Sequence, residues 1–133
     1  MSAAVLDASA FLAYLQDEPG ADVVADAIAG GAAISTANLA EVLSRAAGSG
    51  VDPQRLARQL TERGLLDGAI AVEPLTSSDA IEIARLRPLT REHGLSLADR
   101  ACLALAKRRE LPAVTADTAW SKLDLPIELR FIR

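Results

Sequence analysis

Short apolar runs alternate with stretches whose apolar residues return every three or four positions, and this alternation constrains the chain more than any other feature. The runs lie at residues 3–7 (AAVLD), 32–36 (AAIST), 69–75 (AIAVEPL), 112–115 (PAVT) and 127–132 (IELRFI). Each has the length of a strand, and the intervening segments have helical period. Residues 9–16 carry Phe11, Leu12 and Leu15 on one side and stop at Pro19 and Gly20. Residues 22–29 make a second helix, closed by Gly30 and Gly31. Leu39, Val42, Leu43 and Ala46 mark a third, stopped by Gly48. Asp52 and Pro53 open a fourth, an N-cap followed by proline in the first turn, carried by Leu56, Leu60 and Leu66. Residues 76–78 cap a fifth that runs towards His93, kinked or split by Pro88 and closed by Gly94. Residues 96–109 form a sixth. Strands separated by helices pair in parallel, because only a crossover can return the chain to the same end of the sheet. The expected fold is therefore α/β, a three-layer α/β/α sandwich around a mostly parallel sheet of about five strands, the last at an edge.

With 133 residues, no repeat and no linker-like stretch, the chain reads as a single domain over residues 1–133. Half of it is hydrophobic but only 3% is aromatic, so Leu, Ala, Val and Ile must build the core. The net charge of −4 excludes a whole-surface nucleic-acid footprint, leaving only local contact. Cys102 is the single cysteine, which rules out an internal disulfide and fits a reducing, cytoplasmic setting. The N-terminus lacks the pattern of a signal peptide, and no apolar stretch reaches membrane-spanning length.

Four acids take equivalent places on this frame. Asp7 ends the first strand, Glu41 lies in the first turns after the second, and Asp117 follows the fourth. Asp99 sits in the first turn of the helix that enters the fourth strand. That helix runs antiparallel to the strand, so its start lies at the strand's carboxyl end. Ligand sites of open parallel sheets form outside the carboxyl ends, so all four carboxylates reach one edge. Each also has a plainer reading. Asp7 and Asp117 can be helix N-caps, and Asn38 with Glu41 and Ser96 with Asp99 have capping-box spacing. Against a purely capping role, Cys102, Leu103 and Ala106 follow Asp99 at helical spacing, which turns Asp99 towards the body of the protein. Moreover, two full charges about 4 Å apart cost on the order of 4 kcal/mol at an effective dielectric near 20. A divalent cation removes that cost, and oxygen-only ligands suit magnesium or manganese better than zinc.

At this point the sequence resembles the PIN-domain proteins, and within them the VapC toxins of VapBC toxin–antitoxin pairs. The matching pieces are VLDASAFLAYL, ISTANLAEVLSR, GLSLADRACLALAKRRELPAVTADTAW and the tail LDLPIELRFIR, in family order. Residues 51–91 match only in helical character. By this resemblance Asp7, Glu41, Asp99 and Asp117 are the four acids of the family, Ser9 and Thr115 its small hydroxyl positions, and Asn38 its polar residue one turn before the second acid. Trp120 departs from the pattern, standing where phenylalanine is common. The resemblance implies a magnesium-dependent endoribonuclease, with manganese as a substitute, leaving a 5′-phosphate and a 3′-hydroxyl. Asp7, Asp99 and Asp117 would hold one or two ions, with Glu41 joining directly or through water, and Glu41 or Asp99 would accept a proton. It also implies a homodimer and a cognate VapB-like antitoxin whose amphipathic helix docks on the leucine-rich N-terminal helices.

RNA near an acidic pocket needs local positive charge. The sequence offers Arg100 beside Asp99, the cluster Lys107, Arg108 and Arg109, and Arg85, Arg87 and Arg91. A solvated helix face is the plainer reading of each. His93 at a helix end suits the helix dipole, and Cys102 suits core packing. A phosphoacceptor receiver domain would carry an acidic pair on the first strand and an aspartate after the third, where this chain has Asp7 alone and VEPL. A haloacid-dehalogenase-type phosphatase would need an aspartate where Ser9 stands. A PIN fold kept as a non-catalytic interaction module is the remaining alternative, and the four intact acids speak against it.

Overall fold

The computed structural model describes residues 2–133. Five strands, β1 (Ala4–Leu6), β2 (Ala32–Ser35), β3 (Ile70–Glu73), β4 (Ala113–Thr115) and β5 (Leu129–Phe131), form one sheet in the order β3-β2-β1-β4-β5. Every neighbouring pair is parallel. Six α-helices accompany them: α1 (Ala8–Leu15), α2 (Ala21–Ala29), α3 (Thr36–Gly48), α4 (Pro53–Glu62), α5 (Ser77–Thr90) and α6 (Leu97–Arg109). This is the expected α/β/α sandwich, with a sheet that is wholly parallel. The chain leaves β1 towards β2 and β3 on one side, then returns to its other side with β4 and β5. The boundary between β1 and β4 is thus the point where strand order reverses, and there the connections part to leave a crevice at the carboxyl edge.

Strand alternation divides the core into two layers. Ala4 and Leu6 of β1 point to one face, where Phe11, Val24, Ile28, Val42 and Leu60 pack. Val5 points to the other, with Leu86, Cys102, Leu103, Leu105 and Trp120. Small residues in the strands let the helices approach closely, which suits a core poor in aromatics.

Local signals set most helix ends. Asp52 accepts from the Gln54 backbone N–H at 3.3 Å and Pro53 opens α4, as anticipated. Capping boxes close the starts of α5 (Thr76 with Asp79) and α6 (Ser96 with Asp99). Two expectations need correction. Leu66 does not extend α4. The helix ends at Glu62, Gly64 turns the backbone left-handed (φ +78°), and buried Leu66 pairs in an isolated bridge with Ile70. Nor do Asn38 and Glu41 cap α3. Ser35 does so, because β2 passes into the helix without a loop. The helix α5 runs through Pro88 to Thr90 and continues as a 3-10 turn over Arg91–His93, which Gly94 ends at φ +69°.

Ion pairs fasten the outer layer. Lys107 meets Glu82 at 3.0 Å, Arg108 grips Asp79 through two bonds of 2.9 and 3.2 Å, and Arg109 pairs with Glu73. Burial alone would raise the Asp79 carboxyl, but bonds from Arg108 and Thr76 outweigh it and hold Asp79 below the usual carboxylate range.

Trp120 is wholly buried, and its indole Nε1 has no hydrogen-bond partner among the described residues. Leaving a buried donor unbonded costs roughly 1–3 kcal/mol. Trp120→Phe removes that donor as well as part of the ring, so the two effects offset. The variant is expected to unfold in urea within about 1 kcal/mol of wild type, against the roughly 3–5 kcal/mol of a Trp→Ala truncation. A loss of 3 kcal/mol or more for Trp120→Phe would show that Nε1 has a partner.

Candidate metal centre

Asp7 stands where β1 ends, and its side chain caps α1 by accepting from the Ala10 N–H at 2.8 Å. It is 2% exposed. The Thr115 hydroxyl donates to Oδ2 at 2.5 Å, and the Ser9 hydroxyl lies 2.7 and 2.9 Å from the two carboxylate oxygens. Thr115 ends β4, the neighbour of β1, so the contact spans the reversal point of the sheet. Burial raises the Asp7 carboxyl, the bonds from Thr115, Ala10 and Ser9 offset part of that rise, and the charge of Asp99 adds to it, which leaves the group at about 6.

The network continues towards Asp117. Its backbone N–H donates to Thr115 Oγ1 at 3.0 Å, and the Ala116 N–H donates to Ser9 Oγ at 3.0 Å. The Asp117 carboxylate is exposed and accepts from the Ala119 N–H at 3.0 Å. Asp99 is half-buried and accepts from the Ser96 N–H at 2.9 Å. The plainer reading of these three acids is therefore realised: each caps a helical segment. The fourth behaves differently. Asn38, 1% exposed, lies inside α3, where its Oδ1 accepts from the Ala8 N–H at 3.3 Å and its Nδ2 donates to the Ala98 carbonyl at 3.0 Å. One side chain thus ties α3 to the starts of both α1 and α6. Glu41 follows one turn later on the same side of α3 and lines, with Ser9, a cavity of about 230 Å³.

Asp7, Ser9, Thr115 and Asp117 are joined through hydrogen bonds, and the Asp99 charge acts on Asp7. As placed, no three His, Cys, Asp or Glu side chains among the described residues surround one ion position. The donors that face this edge are nonetheless all oxygen: four carboxylates and two hydroxyls. No thiolate joins them, since burial, then the charges of Asp7 and Asp99, keep Cys102 protonated. Such donors fit a hard divalent cation, and a buried Asp7 whose ionisation is disfavoured by burial and by the charge of Asp99 is a group that such a cation would relieve.

The basic residues are placed otherwise than expected. Arg100 is 7% exposed and donates to the Ile83 carbonyl at 2.9 Å, so it locks α6 to α5 instead of facing a ligand. Lys107 and Arg108 lie eight and nine residues beyond Asp99, about 12 Å or more along the helix, at the opposite edge of the sheet. There they are engaged by Glu82 and Asp79. Arg45 and Arg133 instead line the cavity with Ser9 and Glu41. Arg45 is legible from its helical spacing after Glu41. The placement of Arg133 depends on where the chain's last residues pack.

The PIN-domain sequence profile matches residues 4–125. No curated protein matches the sequence. Among solved structures, the chain is similar to one in DNA-bound VapBC from Salmonella typhimurium, at TM-score 0.72 and 18% identity, covering 100% of both chains. It is similar to one in a toxin–antitoxin complex from Klebsiella pneumoniae, at TM-score 0.68 and 21% identity over 95% of this chain and 99% of that one. VapBC-5 from Mycobacterium tuberculosis shows TM-score 0.59 and 26% identity over 100% and 99%. With the profile spanning both outer acids and everything between them, the chain belongs to the PIN-domain family.

Proposed function

We propose that this PIN domain is the toxin of a type II toxin–antitoxin pair, a metal-dependent endoribonuclease acting in the cytoplasm. PIN domains are generally nucleases, and the similar structures come from VapBC and other toxin–antitoxin complexes. The observation that carries the catalytic part is Asp7: a buried carboxylate, raised to about 6, held by two hydroxyls at the reversal point of the sheet beside a second acid.

In this reading Asp7, Asp99 and Asp117 hold magnesium or manganese, with Glu41 joining them directly or through water. Bound there, the ion supplies positive charge against the phosphodiester and acidifies a water. Ser9 and Thr115 fix the position of the Asp7 carboxylate at the end of β1. Asn38 keeps the starts of α1 and α6 in register, which holds Asp7 and Asp99 together. Glu41 or Asp99 accepts the proton of the attacking water, and the products carry a 5′-phosphate and a 3′-hydroxyl.

The partner follows from a second surface. Leu12, Leu15, Val42, Leu56 and Leu60 line a groove of about 450 Å³ between α1, α3 and α4, edged by Arg45 and Arg63. An amphipathic antitoxin helix fits such a groove. Ile81 and Leu89, two turns apart on α5, and Leu97 at the start of α6 are 55%, 60% and 60% exposed, and supply the apolar face for a second copy of the chain. No helix among the described residues is long and apolar enough to cross a membrane.

The capping bonds of Asp7, Asp99 and Asp117 favour a second reading, a PIN fold used only to bind a partner. Thermal melts of Asp117→Asn separate the two. Asparagine caps about as well as aspartate, so a cap predicts little change and no metal effect. A metal site predicts that wild type gains about 2.7 kcal/mol at magnesium a hundredfold above its dissociation constant, while Asp117→Asn gains much less. Equal shifts in the two proteins would reduce Asp117 to a cap.

A further inference from the structure

The cavity of about 230 Å³ beside the acids is lined by Ser9, Leu12, Gln16, Glu18, Glu41, Arg45 and Arg133. It opens between α1 and α3 and meets the acidic crevice at Ser9, whose hydroxyl is bonded to Asp7. Two guanidinium groups form its wall. Arg45 has no carboxylate within ion-pair distance among the described residues. Arg133 is held in place: it donates to the Pro19 carbonyl at 2.8 Å and stands 3.8 Å from Glu18. Its neighbour Ile132 packs directly on Gly20, where a Cβ would fall 2.6 Å from the Ile132 carbonyl oxygen and where φ is +95°. Only glycine permits that approach, and the approach brings Arg133 to the cavity.

Among the other cations of the chain, Arg100 is buried against Ile83, and Lys107, Arg108 and Arg109 are spent on Glu82, Asp79 and Glu73. A polyanion drawn to a chain of net charge −4 needs cations adjacent to the acids.

We propose that Arg45 and Arg133 form a phosphate seat next to the metal centre, which grips the backbone phosphate adjoining the scissile one and sets the direction in which single-stranded RNA crosses α1 and α3. The planar, multidonor guanidinium suits a phosphate at both positions. The seat rests on the ribonuclease reading above.

The test is binding, not turnover. A fluorescein-labelled 12-nucleotide RNA of random sequence is titrated by anisotropy, in magnesium, against protein carrying Asp117→Asn to suppress cleavage, at several salt concentrations. Adding Arg45→Ala or Arg133→Ala should weaken binding several-fold and lower the slope of log affinity against log salt by about 0.7 each. Arg45→Lys should restore the slope, since the charge returns. Gly20→Ala, which displaces Ile132, should act like Arg133→Ala. Arg58→Ala, on the exposed side of α4, should change nothing. If the arginine variants keep the parent's affinity and slope while wild type cleaves RNA, the seat is wrong and the ribonuclease reading stands. If the parent binds no RNA and wild type cleaves none, both fall.

Discussion

Asp7→Asn is expected to melt higher than wild type at pH 7.5 in chelator, and in magnesium to lose all RNA cleavage. The sign follows from burial. The Asp7 carboxyl titrates at about 6 in the folded protein against an ordinary value of 3.8. Between those values the folded state binds the extra proton, so stability falls as pH rises from about 4 to about 6 and stays low above it. A shift of about two units corresponds to roughly 3 kcal/mol. Asparagine is neutral throughout and keeps an acceptor for the Ala10 N–H, and the bonds from Ser9 and Thr115 are already contained in the net shift. The expected gain at pH 7.5 is therefore about 2–3 kcal/mol, or roughly 5–15 °C for a domain of this size. Near pH 4 the two proteins should melt together, because Asp7 is then protonated. Calorimetric melts from pH 4 to pH 8 check this, and a gap that did not widen with pH would mean that Asp7 is not strained by its burial.

The second large effect belongs to Asn38→Ala. Truncation leaves the buried Ala8 N–H and the Ala98 carbonyl without their partner. Each unsatisfied group costs about 1–3 kcal/mol, so urea unfolding should show a loss of about 2–4 kcal/mol. Cleavage by the molecules that remain folded should fall by about a hundredfold, since a displacement near 1 Å between catalytic groups is enough for that. Ile28→Ala supplies the comparison. It removes a buried side chain from α2, away from the acids, at a similar cost of about 2–5 kcal/mol. If Ile28→Ala lost as much activity per folded molecule as Asn38→Ala, the role of Asn38 would be stability alone.

What could be read from the residues divides along physical lines. The strands and most helix limits rest on local rules, and apolar runs, Pro53, Gly30 and Gly94 mark them to within a residue or two. The placement of Asp7 and Asp117 at one edge also follows from local information, since parallel pairing sends the ends of β1 and β4 there. The Leu66 error arose because apolar spacing continued past the end of α4, and only the left-handed turn at Gly64 breaks the helix there. The false capping box at Asn38 arose because the spacing Asn-x-x-Glu does not say which residue begins the helix. Ser35 begins it, and Asn38 is thereby freed to bridge α1 and α6. Arg100 was misplaced because a residue adjacent to Asp99 points about 100° away from it around the helix. Its target, the Ile83 carbonyl, lies on a helix whose position only the tertiary packing decides. The same limit hid Arg133, whose site is made by Gly20 and Pro19 far away in sequence.

Cleavage of end-labelled RNA by the wild-type protein, in magnesium and in chelator, tests most directly whether this edge of carboxylates is a metal-dependent ribonuclease centre. The expected result is cutting in magnesium that leaves 5′-phosphate ends, and none in chelator. Cutting of equal rate in chelator, or none in either condition from protein shown to be folded, would contradict it.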